Sequence, residues 1–128
     1  METIFKIFRT TIVLALVSLP GSVLAETLLV MAEENGCLWC AKWNEEVGGE
    51  YPITAEGKAA PLHRVDIHGD MPEGMTFKSR LTFTPTFVLM RDGQELSRLE
   101  GYPGEDFFWP LLQRMMNEAG IDWQEGQG

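Results

Sequence analysis

Gly36-Cys37-Leu38-Trp39-Cys40 holds the only two cysteines of the chain, separated by two residues. Two thiols at this spacing can close a small disulfide ring, or meet one target in succession as attacker and resolver. The thiolate is the reactive form, so the first cysteine needs a feature that lowers its pKa. An apolar run precedes Cys37, and a helix-like segment, Leu38 to Val47, follows it. That order places Cys37 at a helix N-terminus, where unpaired N–H groups and the macrodipole favour negative charge.

Upstream, Thr27 to Ala32 (TLLVMA) is a continuous apolar run of strand length, and Glu33-Glu34-Asn35-Gly36 ends it in a turn. Downstream, Trp39, Trp43 and Val47 recur at four-residue intervals with Lys42, Glu45 and Glu46 between them. This predicts an amphipathic helix of about three turns, stopped by Gly48-Gly49. Trp43 is expected in the core, whereas Trp39, between the thiols, is expected exposed as a substrate-facing surface. Thr54 to Ala60 predicts a helical turn or two. Leu62 to His68 predicts a second strand, with Leu62, Arg64 and Asp66 on one face and His63, Val65 and Ile67 on the other. Residues 69–74 read as a loop, and 75–83 fit either a short helix or an extended linker.

Thr84-Pro85-Thr86-Phe87-Val88-Leu89-Met90 puts a proline at the start of a β-rich strand, since proline cannot serve a central ladder. Asp92-Gly93 predicts a hairpin, with Glu95 to Glu100 returning. Glu105 to Ala119 predicts a final helix with Phe108, Leu111, Leu112, Met115 and Ala119 along one face. Pro110 within it predicts a kink, or a helix that begins there.

The chain has 128 residues, enough for one domain with a core. Residues 1–25 are a different kind of text: Lys6 and Arg9, then no charge from Thr10 to Ala25. The apolar stretch Ile12 to Val17 leads to Val23-Leu24-Ala25, which reads as a secretory signal cleaved after Ala25. Its core is too short for a comfortable membrane span, and a retained N-terminal anchor is the weaker alternative. Residues 26–128 are then exported with no membrane span. Loss of Lys6, Arg9 and Glu2 takes the formal charge from −9 to −10. So acidic a domain repels phosphates and anionic membranes, which sets nucleic acid aside as a partner. Export permits a structural disulfide. A bridge between residues three apart, however, closes a tiny loop and removes little unfolded-state entropy. The spacing favours chemistry over stapling.

Two other uses of the thiols compete. Cys37 and Cys40 with His63 and His68 imitate a zinc pattern, but histidines five apart on a strand point to opposite faces and read as surface residues. Copper(I) suits two thiolates, with Met71 and Met75 as soft ligands, so a copper(I)-binding chaperone is one alternative. A binding module with an inert disulfide is another.

The order strand, CxxC at a helix start, strand, loop, Thr-Pro before a strand, hairpin and helix resembles the thioredoxin fold across residues 26–128. That fold is a single α/β domain, a central mixed sheet flanked by helices. In that family a cis-proline packs against the active-site disulfide, and Pro85, 48 positions after Cys37, matches it. The match narrows on Glu34-Asn35-Gly36-Cys37, Trp39-Cys40, Lys42-Trp43, Ala59-Ala60-Pro61-Leu62, Arg64-Val65-Asp66 and Glu100 to Trp109 (EGYPGEDFFW). These resemble the SoxS-type periplasmic thioredoxins that accompany the bacterial sulfur-oxidation (Sox) system.

The resemblance implies a periplasmic thiol-disulfide reductase with no cofactor and no metal. Its substrate would be a disulfide or mixed disulfide on the Sox sulfur-carrier protein, and a membrane thiol relay would recharge it. A monomer is expected, and a disulfide isomerase is not, since that class needs a second, dimerising domain for which residues 26–128 leave no room. Cys37 would be the nucleophile, Cys40 the resolving thiol, and Cys37–Cys40 the redox-active disulfide. Substrate binding would fall to Trp39, Thr84 and cis Pro85, with the backbone of Thr84 pairing with an extended substrate strand.

Three positions depart from ordinary thioredoxins. Gly36 stands where a tryptophan precedes the first cysteine, and Leu38-Trp39 replaces Gly-Pro between the thiols. Met31 stands where a buried acid six residues before the first cysteine shuttles the proton. Glu33 and Glu34 are the nearest other acids. They push the Cys37 thiol toward the upper end of the roughly 3.5–7.5 range of such motifs, which suits a reductant.

Overall fold

A computed structural model describes residues 26–124; the expected signal segment, residues 1–25, lies outside the described residues. Strand β1 (Thr27–Glu33) carries four consecutive buried residues, Leu29 to Ala32, as a central strand covered on both faces must. It pairs in parallel with β2 (Leu62–Asp66) and antiparallel with β3 (Thr86–Arg91), which pairs antiparallel with β4 (Gln94–Glu100). The sheet order is β2-β1-β3-β4. The β3–β4 hairpin turns on Asp92 and Gly93, both with positive φ (52° and 75°), the requirement that makes Asp-Gly the favoured pair. A Cβ on Gly93 would lie 1.9 Å from the carbonyl oxygen of Gly74, so the position also needs glycine for space.

Strand alternation divides the core in two. Leu29, Met31, Phe87 and Leu89 face the helices, meeting Trp43 and Val47 from one side and Phe108, Leu112 and Met116 from the other. Val30, Ala32, Val65, Val88 and Met90 face the opposite way, beneath buried Leu81 and half-buried Ile67, Met75 and Phe77. Residues 75–83 therefore form no helix. They cross that face as an irregular segment, tied to β4 by an isolated bridge between Thr76 and Gln94. The result is a mixed four-stranded sheet flanked by helices, a thioredoxin-like α/β fold with its helices gathered on one face.

One helix differs from the periodicity reading. Helix α1 (Leu38–Trp43) does not run regularly to Val47: it widens into a π turn over Asn44–Gly48. A short 3-10 turn (Tyr51–Ile53) and helix α2 (Ala55–Ala59) follow. This path returns Tyr51 to the core, where its ring centroid lies 6.1 Å from that of Trp43 and its hydroxyl donates to the Ala60 carbonyl at 2.6 Å. Helix α3 (Glu105–Glu118) begins five residues before Pro110 and passes through it. Proline forfeits one bond in the second turn, to the carbonyl of Asp106, and burial of Phe108, Leu112 and Met116 outweighs that loss. Among the described residues no helix is long and apolar enough to cross a membrane.

Trp43 joins these layers, with ring centroids at 5.3 Å from Phe87 and 5.8 Å from Phe108. Replacing a buried aromatic by alanine removes burial and leaves a cavity, worth about 3–5 kcal/mol. Trp43→Ala is expected to lower stability by about that amount in urea denaturation of the oxidised protein. A loss under about 1 kcal/mol would mean that Trp43 is not the anchor.

Candidate active site

Cys37 is the N-cap of α1, and its extended backbone (φ −74°, ψ 103°) delivers the chain from the Asn35-Gly36 turn. Gly36 takes φ +78°, a left-handed conformation suited to glycine. The Cys37 sulfur accepts the N–H of Cys40 at 3.1 Å, the place an N-cap oxygen would occupy. The two sulfurs form a disulfide. They are unequal: Cys37 is partly exposed, whereas Cys40 is 4% exposed and packs in the same buried cluster as Met31 and Trp43. Between them Leu38 and Trp39 point outward, 83% and 56% exposed, so the apolar surface beside the thiols is open to a partner.

The two acids before the motif part company. Glu34 turns toward the loop before β3: its Oε1 accepts the Thr84 hydroxyl at 2.8 Å, and its Oε2 lies 2.7 Å from His68 Nε2. The peptide bond between Thr84 and Pro85 is cis, and Phe83 beside it is exposed. Thr84 is thus tied to the loop that carries Cys37, whose N–H reaches the Glu34 carbonyl at 3.3 Å. Glu33 turns the other way. Its Oε2 accepts from Arg64 Nη1 at 2.6 Å, while Arg64 Nη2 donates to Asn44 Oδ1 at 2.7 Å. The guanidinium lies 5.7 Å from the Trp43 ring centroid and 3.5 Å from the Met31 sulfur. Glu33, Glu34, Cys37, Cys40 and Asn44 line one cleft.

Arg64 and Asn44 escape a reading of motifs. The signal was the alternation Leu62, Arg64, Asp66, which puts Arg64 on the helix-facing side of β2, and the parallel register then sets it opposite Met31. His63 and His68 are both exposed, and His68 is engaged by Glu34. Among the described residues no group of three or more His, Cys, Asp and Glu side chains is placed to hold a metal ion.

A dithiol at a helix start on a thioredoxin-like sheet defines a thiol-disulfide oxidoreductase. Comparison with solved structures specifies the kind. The periplasmic thioredoxin SoxS from Paracoccus pantotrophus, in its reduced form, is 51% identical, with a TM-score of 0.72, over 73% of this chain and 99% of that one. The chain belongs to the SoxS-type thioredoxin family. No protein-family model and no curated protein matches it.

The carboxyl of Glu34 is held below its usual 4.5, first by the hydrogen bond from Thr84 and next by that from His68. A depressed folded value stabilises above the unfolded pKa and is lost as pH falls through the folded one. The link to Thr84 is therefore expected intact from neutral pH down to 4.5 and lost only below it. An NMR titration of the Thr84 amide should show a midpoint under 4.5 that vanishes in Glu34→Gln. A midpoint at or above 4.5 would contradict the assigned contacts.

Proposed function

We propose that this protein is a periplasmic dithiol reductase acting on a disulfide or mixed disulfide of a partner protein, the sulfur carrier of a Sox system. The unequal burial of its two cysteines carries this reading: one sulfur at the surface on a helix N-cap, the other 4% exposed behind it. The SoxS relative supports both the compartment and the partner class. Residues 1–25 serve as the export signal, and residues 26–128 are the working domain.

In the reduced protein Cys37 is the nucleophile. Its thiolate attacks a sulfur of the partner's disulfide, forming a mixed disulfide and releasing the partner's other sulfur as a thiolate. Cys40 then attacks the Cys37 sulfur, which closes the Cys37–Cys40 disulfide and frees the partner reduced. Trp39 supplies an apolar contact for the partner, and Thr84 and Pro85 present the backbone against which an extended substrate segment lies. A membrane thiol relay returns two electrons to the disulfide, and the protein works as a monomer without a cofactor.

Cys40→Ser should halt the cycle at the mixed disulfide. Expressed in its own periplasm, this variant is expected to accumulate a covalent adduct that dithiothreitol dissolves, with the carrier protein in it by mass spectrometry. Cys37→Ser should capture nothing. Failure to form any adduct while Cys37 remains open to alkylation would sink the exchange mechanism.

A further inference from the structure

Resolution requires Cys40 as a thiolate, and Cys40 is almost wholly buried. Inward it meets the apolar cluster that contains Met31 and Trp43, where a charge would be left without solvation. Outward it opens on the cleft it shares with Glu33, Glu34 and Asn44, a space of about 330 Å³. At roughly 30 Å³ per water, that cleft admits several. A proton leaving Cys40 has its acceptors on that side.

The hydrogen bonds distinguish the two acids. Both oxygens of Glu34 are engaged, by Thr84 and by His68, which hold its carboxylate toward the loop before β3. Glu33 uses Oε2 for Arg64, and among the described residues its Oε1 has no partner. Strand alternation puts Glu33 on the side of Leu29 and Met31, which is the side of α1. Arg64 fixes it there by reaching Asn44 with its second nitrogen. Its other charged neighbours are Asp66, its register partner on β2, and the adjacent Glu34; past the end of α1 stands the neutral Asn44 amide.

We propose that Glu33, held in place by Arg64, accepts the proton of Cys40 through water in the cleft while Cys40 resolves the mixed disulfide. The Cys40 S–H bond breaks, and the proton passes to the Glu33 carboxylate. The Cys40 sulfur bonds to that of Cys37 as the bond from Cys37 to the partner's sulfur breaks. The electron pair leaves with the partner's sulfur, which takes a proton back from Glu33 through the same water and departs as a thiol. Cys40 is oxidised, the partner's sulfur is reduced, and Glu33 is restored. Arg64 is a positioning residue. The inference rests on the dithiol mechanism above and deepens it.

Reduced protein mixed with 5,5′-dithiobis(2-nitrobenzoate) reads the two steps separately. One thionitrobenzoate is released as Cys37 attacks, and a second as Cys40 resolves. In stopped flow at about pH 7, Glu33→Gln is expected not to slow the first phase, since it removes a negative charge near Cys37. It should slow the second at least about tenfold, below the roughly 10²–10⁴-fold typical of a positioned base. With hydroxide as the remaining base, the variant's second phase should lose about tenfold per pH unit toward acid, and the wild type's less. Arg64→Gln should slow the second phase by a smaller factor, with Arg64→Lys recovering part of it. A second phase of wild-type rate and pH profile in Glu33→Gln overturns the proposal, as does a slowing confined to Glu34→Gln. Absence of a second phase in the wild type would instead overturn the dithiol mechanism itself, so the two failures are distinguishable.

Discussion

The hydrogen bond from the Cys40 N–H to the Cys37 sulfur ties the chemistry to the fold, because it makes Cys37 a helix cap. A cap residue stands outside the helix it begins, and the third residue after it lies one turn in. The same geometry therefore holds one sulfur toward solvent and turns the other into the core. The helix so capped has only six residues before it widens into a π turn, too short to persist by propensity. Trp43, wedged among Tyr51, Phe87 and Phe108, is what fixes it to the sheet. The placement of Cys37 thus depends on packing one and a half turns away.

Around this pair the protein manages an electrostatic conflict. The chain is acidic, with a net charge of −9, and two carboxylates stand three and four residues before the sulfur proposed as nucleophile. Each is directed elsewhere. Arg64 draws Glu33 toward β2 and Asn44, and Thr84 with His68 draws Glu34 toward the loop before β3. The diversion also builds the site, since Glu34 joins the loop that carries Cys37 to the Thr84-Pro85 segment. Repulsion that would hinder thiolate formation becomes a brace across the mouth of the cleft.

Much of the fold was legible because its strongest signals are local. The apolar run of β1, the proline heading β3, the Asp-Gly turn and the face of α3 each carry their periodicity within a dozen residues. The dithiol was equally plain, as the chain has no other cysteine. The π turn was hidden because Trp43 and Val47 are spaced as in a regular helix. Pro110 raised the alternative of a later start for α3, a local penalty that tertiary burial overrides. Residues 75–83 had no readable period, since they cover a sheet face without regular structure. Within the site, the place of Arg64 depends on the register between β1 and β2. Parallel strands have no tight turn to declare their register, so the neighbour of Met31 is invisible until the chain is folded.

The inequality of the two sulfurs can be measured by competitive alkylation. Fully reduced protein would be treated with a limiting amount of iodoacetamide near neutral pH, and the modified peptides quantified by mass spectrometry. Cys37, partly exposed at the cap, should carry nearly all the label, and Cys40, 4% exposed, almost none. Equal labelling of the two cysteines in the folded protein, or preferential labelling of Cys40, would contradict the account.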